Sequence, residues 1–501
     1  MNNDEALSVE ALMHSSGVAF GTSGARGLVA RMSDKVCYAY TKAFLQHLEA
    51  TRQISAGSEV ALAGDHRNST VRILTAIARA IADSGYPPVF CGHIPSPAVA
   101  YYGLQNHIPS IMVTGSHIPD DRNGIKFNTA AGEILKSDEN GIKQQHVILP
   151  NTLFDDAGMF RSPGQYALPK ETRAAYAMYV KRYLDFFPAQ CLAGKNIGLY
   201  QHSSVCREIF HDILTQLGAA VTPLGYSDAF ISVDTEAIRP DDIELGHRWA
   251  LENRFDAIVS ADGDADRPLI SDEKGTWLRG DIAGILTARY LGATMVATPV
   301  SSNTAVEKCG DFKEVVRTRI GSPFVIEAMD RALGREGENV VGYEANGGFL
   351  IGNNIAKENR SLNALPTRDA IIVALAVIML SIEQGLAISQ LAATLPHRFT
   401  ASDRAKDFPV GESKRRLEQF IDEGGHVDPA KVEAVYGAHF GRLRDADATD
   451  GLRLTFENGE IVHLRPSGNA PEFRCYNEAD SEGRAQEINK ICMDIIADWQ
   501  I

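Results

Sequence analysis

Apolar positions along this chain switch from strand spacing to helical spacing and back in three separate places. Residues 60–91 open on an apolar run and pass through a polar loop. Apolar side chains then recur at helical intervals (Ile73, Ile77, Ala80 and Ile81), and a Gly turn leads into a second short apolar run. This order predicts strand, loop, amphipathic helix and strand. Residues 197–224 repeat it, with Gly218 ending the helix, and residues 295–317 repeat it less cleanly. Three such units, about a hundred residues apart, predict three related α/β domains. The pattern then changes. Residues 451–464 alternate on both sides of Asn458-Gly459, the strongest short-range hairpin signal. A polar loop, a short strand over 473–476 and a closing helix from Ser481 onward complete a small α+β domain. The most apolar run, 370–380, follows Arg368-Asp369 directly. It is too short to span a bilayer and is expected to be a buried helix.

Composition narrows the function. A chain of 501 residues is too long for one hydrophobic core, which agrees with three or four domains. A formal charge of −15 excludes nucleic-acid binding through broad basic patches, so each local cluster of Arg, Lys and Gly carries more information. The seven cysteines are scattered, odd in number and without any Cys-x-x-Cys. They read as reduced thiols rather than a disulfide framework or a zinc site. The N-terminal stretch is acidic where a secretory signal would be basic, and the expectation is a cytoplasmic protein.

The chemistry gathers in loops that follow strands. Residues 110–127 (SIMVTGSHIPDDRNGIKF) run from a buried strand end into a turn carrying Ser116 and His117, with Lys126 ten positions after the serine. Gly115 permits backbone angles closed to other residues, and Pro119 stops a helix from starting at once. Ser116 is thus expected at the C-terminal edge of a strand, where open α/β sheets bind ligands. Residues 262–267 (DGDADR) give the sharpest signal. Asp262, Asp264 and Asp266 alternate with small residues after a strand, so three carboxylates can face one hard cation, and Arg267 beside them suits an anion. The spacing also matches an EF-hand, with Glu273 at its twelfth position. Against that, Arg267 stands where glycine is required, Pro268 follows and no helix precedes; Mg²⁺ is expected rather than Ca²⁺. Weaker signals are the Gly-rich residues 20–27 (FGTSGARG) with Arg26, and residues 64–69 (GDHRNS). In the latter, Ser69 reads equally well as a helix N-cap. Residues 342–349 (GYEANGGF) place Glu344 and Asn346 in an exposed, Gly-flanked loop that suits sugar hydroxyls. Residues 465–474 (RPSGNAPEFR) combine Arg465, Ser467, Gly468, Asn469 and Arg474 into a phosphate cradle.

In order, these motifs, together with GHIPSP (92–97) and TRIG (318–321), resemble those of the α-D-phosphohexomutases, in particular the bacterial phosphomannomutase/phosphoglucomutase branch. The resemblance runs from Phe20 to Tyr476. It implies an α/β protein in which three related α/β domains with mixed sheets and a smaller C-terminal α+β domain surround a central cleft. The domains would be 1–165 with the phosphoserine loop, 166–280 with the metal loop, 281–395 with the sugar loop and 396–501 with the phosphate loop. It further implies that Ser116 is the phosphoserine, and that Asp262, Asp264 and Asp266 hold Mg²⁺ with it. Arg26, His117, Lys126 and Arg267 would flank the transferring group, Lys126 moving the proton. Glu344 and Asn346 would read sugar hydroxyls, and residues 465–474 would hold the non-reacting phosphate. The reaction implied interconverts hexose 1- and 6-phosphates of mannose or glucose, with a hexose 1,6-bisphosphate as primer and intermediate. Small phosphosugars are the expected partners, with no nucleic acid and no membrane, for a monomer or homodimer. Two departures stand out. Ile118 replaces the usual Asn after the serine-loop His, and Gly348 stands where dual-specificity members carry a His. They leave open which group transfers the proton, the choice between glucose and mannose, and a catalytically silent sugar-phosphate binder. A phosphosugar phosphatase using the same metal and serine is a separate alternative.

Overall fold

The computed structural model describes residues 5–21, 24–150, 152–335, 337–422, 424–467 and 471–499. Three of its sheets share one wiring. In the first, strand Val60–Gly64 lies between Pro88–Phe90 and Ser110–Val113, all parallel, and Arg122–Thr129 then pairs antiparallel with Ser110–Val113. The second repeats this with Asn196–His202 between Ala220–Tyr226 and Ala257–Ala261, followed by antiparallel Pro268–Ile270. The third repeats it with Met295–Pro299 between Glu314–Thr318 and Val340–Tyr343, followed by antiparallel Phe349–Ile351. The expected mixed α/β sheets are therefore present. Helices such as Thr70–Asp83 and Arg207–Gln216 make the crossovers that parallel neighbours require. The weak third repeat has a physical counterpart, since its first crossover holds only the four-residue helix Ala305–Lys308. The first sheet is extended on its far side by Ala25–Leu28 and Ala19–Phe20.

The fourth sheet is wholly antiparallel. Strands Leu452–Phe456 and Ile461–Pro466 form the hairpin announced by Asn458-Gly459, and Glu472–Ala479, longer than the pattern suggested, pairs with the second of them. Phe399–Lys406, which the pattern did not reveal, closes one edge. Ser481 caps the closing helix Glu482–Asp498 by accepting the Arg484 N–H.

Burial explains how the pieces hold together. One apolar cluster joins side chains of the first three sheets, among them Ala61, Ile197, Val259, Val296 and Val341, around Ile371 to Leu380. The run 370–380 is indeed a helix, Ala370–Gln384, buried from Ala370 to Ser381. The fourth sheet has its own cluster around Phe408, Tyr436, Phe456 and Phe473. No helix among the described residues is long and apolar enough to cross a membrane.

Candidate active site

The shared wiring sets three loops at equivalent points, each joining the third strand of its sheet to the antiparallel fourth. These loops carry Ser116, the three aspartates, and Glu344 with Asn346. Packing of the sheets through one core brings the first two into contact. Ser116 Oγ donates to Asp262 Oδ2 at 2.5 Å, across 146 residues of chain, and His117 Nδ1 lies 3.3 Å from Ser116 Oγ. Ser116 has a left-handed backbone (φ 54°), as does Ala265 in the aspartate loop (φ 58°). Non-glycine residues hold such angles where surrounding bonds impose them.

Those bonds come largely from a residue that the sequence left ambiguous. Arg67 is buried, pairs with Asp65 through Nε at 3.1 Å, and donates to the carbonyls of Ser116 (2.9 Å), Ile118 (2.5 Å) and Pro119 (2.7 Å). Asp65 in turn accepts from Thr114 Oγ1 at 2.8 Å and the Gly115 N–H at 3.3 Å. A Cβ on residue 115 would fall 2.6 Å from Arg67 Cζ, and Gly115 has no positive φ. The glycine is therefore required by this close approach and not, as the sequence suggested, by its backbone angles; the left-handed residue of the turn is Ser116. Ser69 makes no side-chain cap; its hydroxyl instead accepts from Asn123.

Asp262, Asp264 and Asp266 are buried, and one oxygen of each lies within 4.8 Å of the others. Burial, then repulsion from Asp264 and Asp266, pushes the Asp262 carboxyl well above the usual carboxylate range. Burial would raise Asp266 too, but Arg368, Lys126 and Arg267 overcome it and hold that carboxyl below the ordinary range. Asp264 Oδ1 and Asp266 Oδ1 have no hydrogen-bond partner among the described residues. Buried carboxylate oxygens are rarely left so, and a hard divalent cation supplies what they lack. The donor set therefore fits a metal. The EF-hand alternative fails on geometry: the loop joins two antiparallel strands, and Glu273 turns away to accept from Ser389.

Cations crowd the same space. Lys126 Nζ lies 2.6 Å from Asp264 Oδ2 and 2.5 Å from Asp266 Oδ2. Burial works against its charge, and those two aspartates overcome the effect and keep the ammonium protonated. Arg26 is lowered to about 10 by burial and by Arg267 and Arg368. His117 falls well below its usual value through burial and the nearby Arg267 and Arg26, which keeps it neutral. Arg368, noted in the sequence only as preceding an apolar helix, pairs with Asp266 at 2.9 Å and with Glu344 at 3.0 Å. Its signal was the charge itself, set directly before a helix with no polar face.

The other predicted residues sit as follows. Glu344 and Asn346 are buried rather than exposed, because Arg368 pairs with the first and Thr235 Oγ1 donates to the Asn346 carbonyl at 2.8 Å. Arg465 and Arg474 are cross-strand neighbours in the fourth sheet. Arg465 pairs with Asp450 at 3.0 Å and Arg474 with Glu472 at 3.3 Å, while the Ser467 N–H donates to Glu472 O at 2.8 Å and closes the hairpin. Gly468 and Asn469, like Thr22 and Ser23 of the Gly-rich loop, lie outside the described residues. Glu236 lines one cavity together with His463 and Tyr476 of the fourth sheet.

Comparison with known proteins bears on this arrangement. Residues 17–147 match the family model described as phosphoglucomutase/phosphomannomutase, alpha/beta/alpha domain I; residues 279–399 match domain III and residues 417–495 the C-terminal domain. A phosphomannomutase of Salmonella muenchen is 43% identical over 95% of each chain. One of Sinorhizobium fredii is 43% identical over 94% of this chain and 97% of its own. Among solved structures, a phosphoglucomutase/phosphomannomutase family protein of Burkholderia thailandensis aligns with a TM-score of 0.69 at 15% identity, covering 96% and 97% of the two chains. N-acetylphosphoglucosamine mutase of Aspergillus fumigatus, solved with GlcNAc-6P and magnesium, aligns at 0.52 and 13% identity over 99% and 100%. At such identities the structural likeness concerns the fold.

Proposed function

Because the chain belongs to the phosphoglucomutase/phosphomannomutase family, the α-D-phosphohexomutases, we propose that Ser116 is its phosphoryl carrier and the aspartate loop its metal site. The protein is a hexose-phosphate mutase, an isomerase that moves a phosphoryl group within a sugar. The observation that carries the residue assignment is the 2.5 Å bond between Ser116 Oγ and Asp262 Oδ2 inside a buried acidic triad.

Charge balance supports the reading. Arg26, Lys126, Arg267 and Arg368 face Asp262, Asp264, Asp266 and Glu344, a set close to neutral. A phosphoserine adds close to two negative charges, and a divalent ion restores the balance. Asp262, Asp264, Asp266 and the phosphoserine would hold Mg²⁺, which when bound draws charge from the phosphoryl oxygens. Phosphoryl transfer asks the protein mainly for position and electrostatic stabilisation. Arg67 fixes the serine turn, and Arg26 and Arg267 face the transferring group. The P–O bond to Ser116 breaks as one forms to a sugar hydroxyl, whose proton leaves on an oxygen of the transferred phosphoryl group. Lys126, protonated between two aspartates, gives a proton to the departing serine oxygen, and the return step runs the same transfers backwards. The bisphosphate so formed turns over and returns its other phosphate to Ser116, while Arg465, Ser467 and Arg474, with Gly468 and Asn469, hold the distal phosphate. Glu344 and Asn346 orient the hexose. Mannose phosphate is the preferred substrate in this reading, supported by the names of the 43% identical relatives, and the enzyme works in the cytoplasm.

A bisphosphate-primed coupled assay with mannose and glucose 1-phosphates tests this. Ser116→Ala should lower turnover by about 10⁴-fold or more, chelation should abolish it and Mg²⁺ restore it. Intact mass should show one phosphoryl group on the primed wild type alone. Full conversion by Ser116→Ala would dismiss the assignment, and release of inorganic phosphate in place of isomer would make the protein a phosphatase.

A further inference from the structure

Three observations single out Arg368. Its guanidinium spans two loops from different sheets, Nη2 at 2.9 Å from Asp266 Oδ2 and Nη1 at 3.0 Å from Glu344 Oε2. Its place in the chain is rigid. Asp369 caps the buried helix by accepting the Ile371 and Ile372 N–H groups, takes hydroxyl bonds from Tyr179 (2.7 Å) and Tyr183, and donates its own N–H to Phe349 O at 3.0 Å. The third observation is volume. A Cβ on residue 348 would fall 2.6 Å from both Cγ and Cδ of Arg368, so the arginine fills the space that any side chain there would need. Gly348 has no positive φ, so its small size serves this contact and not the backbone.

We infer that Arg368 is the positioning residue that sets the sugar-reading carboxylate Glu344 in register with the phosphoryl-transfer centre, and that Gly348 is small in order to admit it. The inference rests on the mutase reading above. A planar fork with a permanent charge holds two carboxylates at fixed directions, which a flexible ammonium cannot do. Without it, Asp266 and Glu344 would be buried carboxylates with one partner fewer each, free to shift apart. Arg368 Nε–H has no partner among the described residues, so a donor remains there for an oxygen of the sugar phosphate. An arginine keeps its proton throughout, so this position supplies direction and charge and leaves proton transfer to Lys126.

The test uses the full-length chain with Mg²⁺. Arg368→Ala should lower kcat/KM for mannose 1-phosphate by about 10- to 100-fold, and Arg368→Lys should recover only part of it. In a Ser116→Ala background, where no chemistry occurs, calorimetry should show Arg368→Ala weakening mannose 1-phosphate binding at least about fivefold more than binding of inorganic phosphate. A general loss of structure or of positive charge would weaken both alike and would overturn the proposal. Gly348→Ala should weaken binding of mannose 1-phosphate in the presence of Arg368 and have a much smaller effect when combined with Arg368→Ala, because Cγ and Cδ are then gone and only the Cβ at 3.0 Å remains. If Arg368→Ala melts, Gly348→Ala alone decides: unchanged affinity overturns the inference. A wild type that binds mannose 1-phosphate and fails to isomerise any hexose phosphate would sink the mutase reading, while the binding comparison would still read Arg368.

Discussion

Ser116 and the aspartates sit in hairpin loops packed onto a core that three sheets share, and their polar partners are buried side chains and carbonyls. Arg465 and Arg474 lie on a sheet with a core of its own, and their partners Asp450 and Glu472 keep 14% and 16% of their side-chain surface open to solvent. Among the described residues, the hydrogen bonds between the fourth sheet's unit and the rest include the Ile320 N–H to Asp450 Oδ2 at 2.9 Å, Asn303 Nδ2 to Arg398 O at 2.7 Å, and Thr304 to Glu478, and the apolar clusters of the two are separate. The proposed phosphoryl-transfer centre is preorganised, and the edge proposed to hold the other phosphate is attached lightly. A bisphosphate that has to turn over would need both. A fixed donor keeps the reaction in line, and a separable holder lets the sugar reverse.

The sharpest way to break this contrast is at Arg67. Arg67→Lys keeps the charge and loses the planar set of bonds to Asp65 and the four carbonyls of Ser116, Ile118, Pro119 and Arg122. It should cost about 3–5 kcal/mol of stability and lower kcat by about a hundredfold, read by chemical denaturation and steady-state kinetics. Near-normal kcat would mean the serine turn holds itself.

Acid should loosen both regions through their buried histidines. His202, whose Nε2 meets Ala261 O at 2.7 Å under the aspartate loop, and His463, whose Nε2 meets Asp450 O at 2.7 Å, are each lowered by burial to about 4 from 6.5. A depressed folded value means that the stability from each neutral ring is present above pH 6.5 and is lost as pH falls toward 4. The loss should reach about 3 kcal/mol for each ring, followed by melting from pH 7 to 4. His463→Gln should remove the share belonging to the fourth sheet, and an unchanged acid profile would show that its ring is not buried neutral.

The smallest effect is expected at the edge itself. Arg474→Ala should raise KM by about tenfold, leave kcat within a few-fold, and change stability by less than about 1 kcal/mol, since its pair with Glu472 is partly exposed. A loss in kcat without a change in KM would place Arg474 in the chemical step instead.

Much of this was legible along the chain. The hairpin at Asn458-Gly459, the buried helix after Asp369 and the strand before each reactive loop followed from hydrophobic period and turn residues, because those are local properties. Asp262, Asp264 and Asp266 could be read as a cation site because three carboxylates at alternate positions repel without one. The family resemblance, carried by eight motifs in order, supplied the role of Ser116. Arg67, Arg368 and the burial of Glu344 were not legible. Their partners lie on other loops and other sheets, and nothing in the spacing of Arg368 from Asp266 or Glu344 marks them as neighbours. Sequence alone determined which residue types stand at the ends of which strands. Tertiary packing decided which ends meet, because a single core pressed three similar sheets together and made each unpaired buried charge find its partner across them.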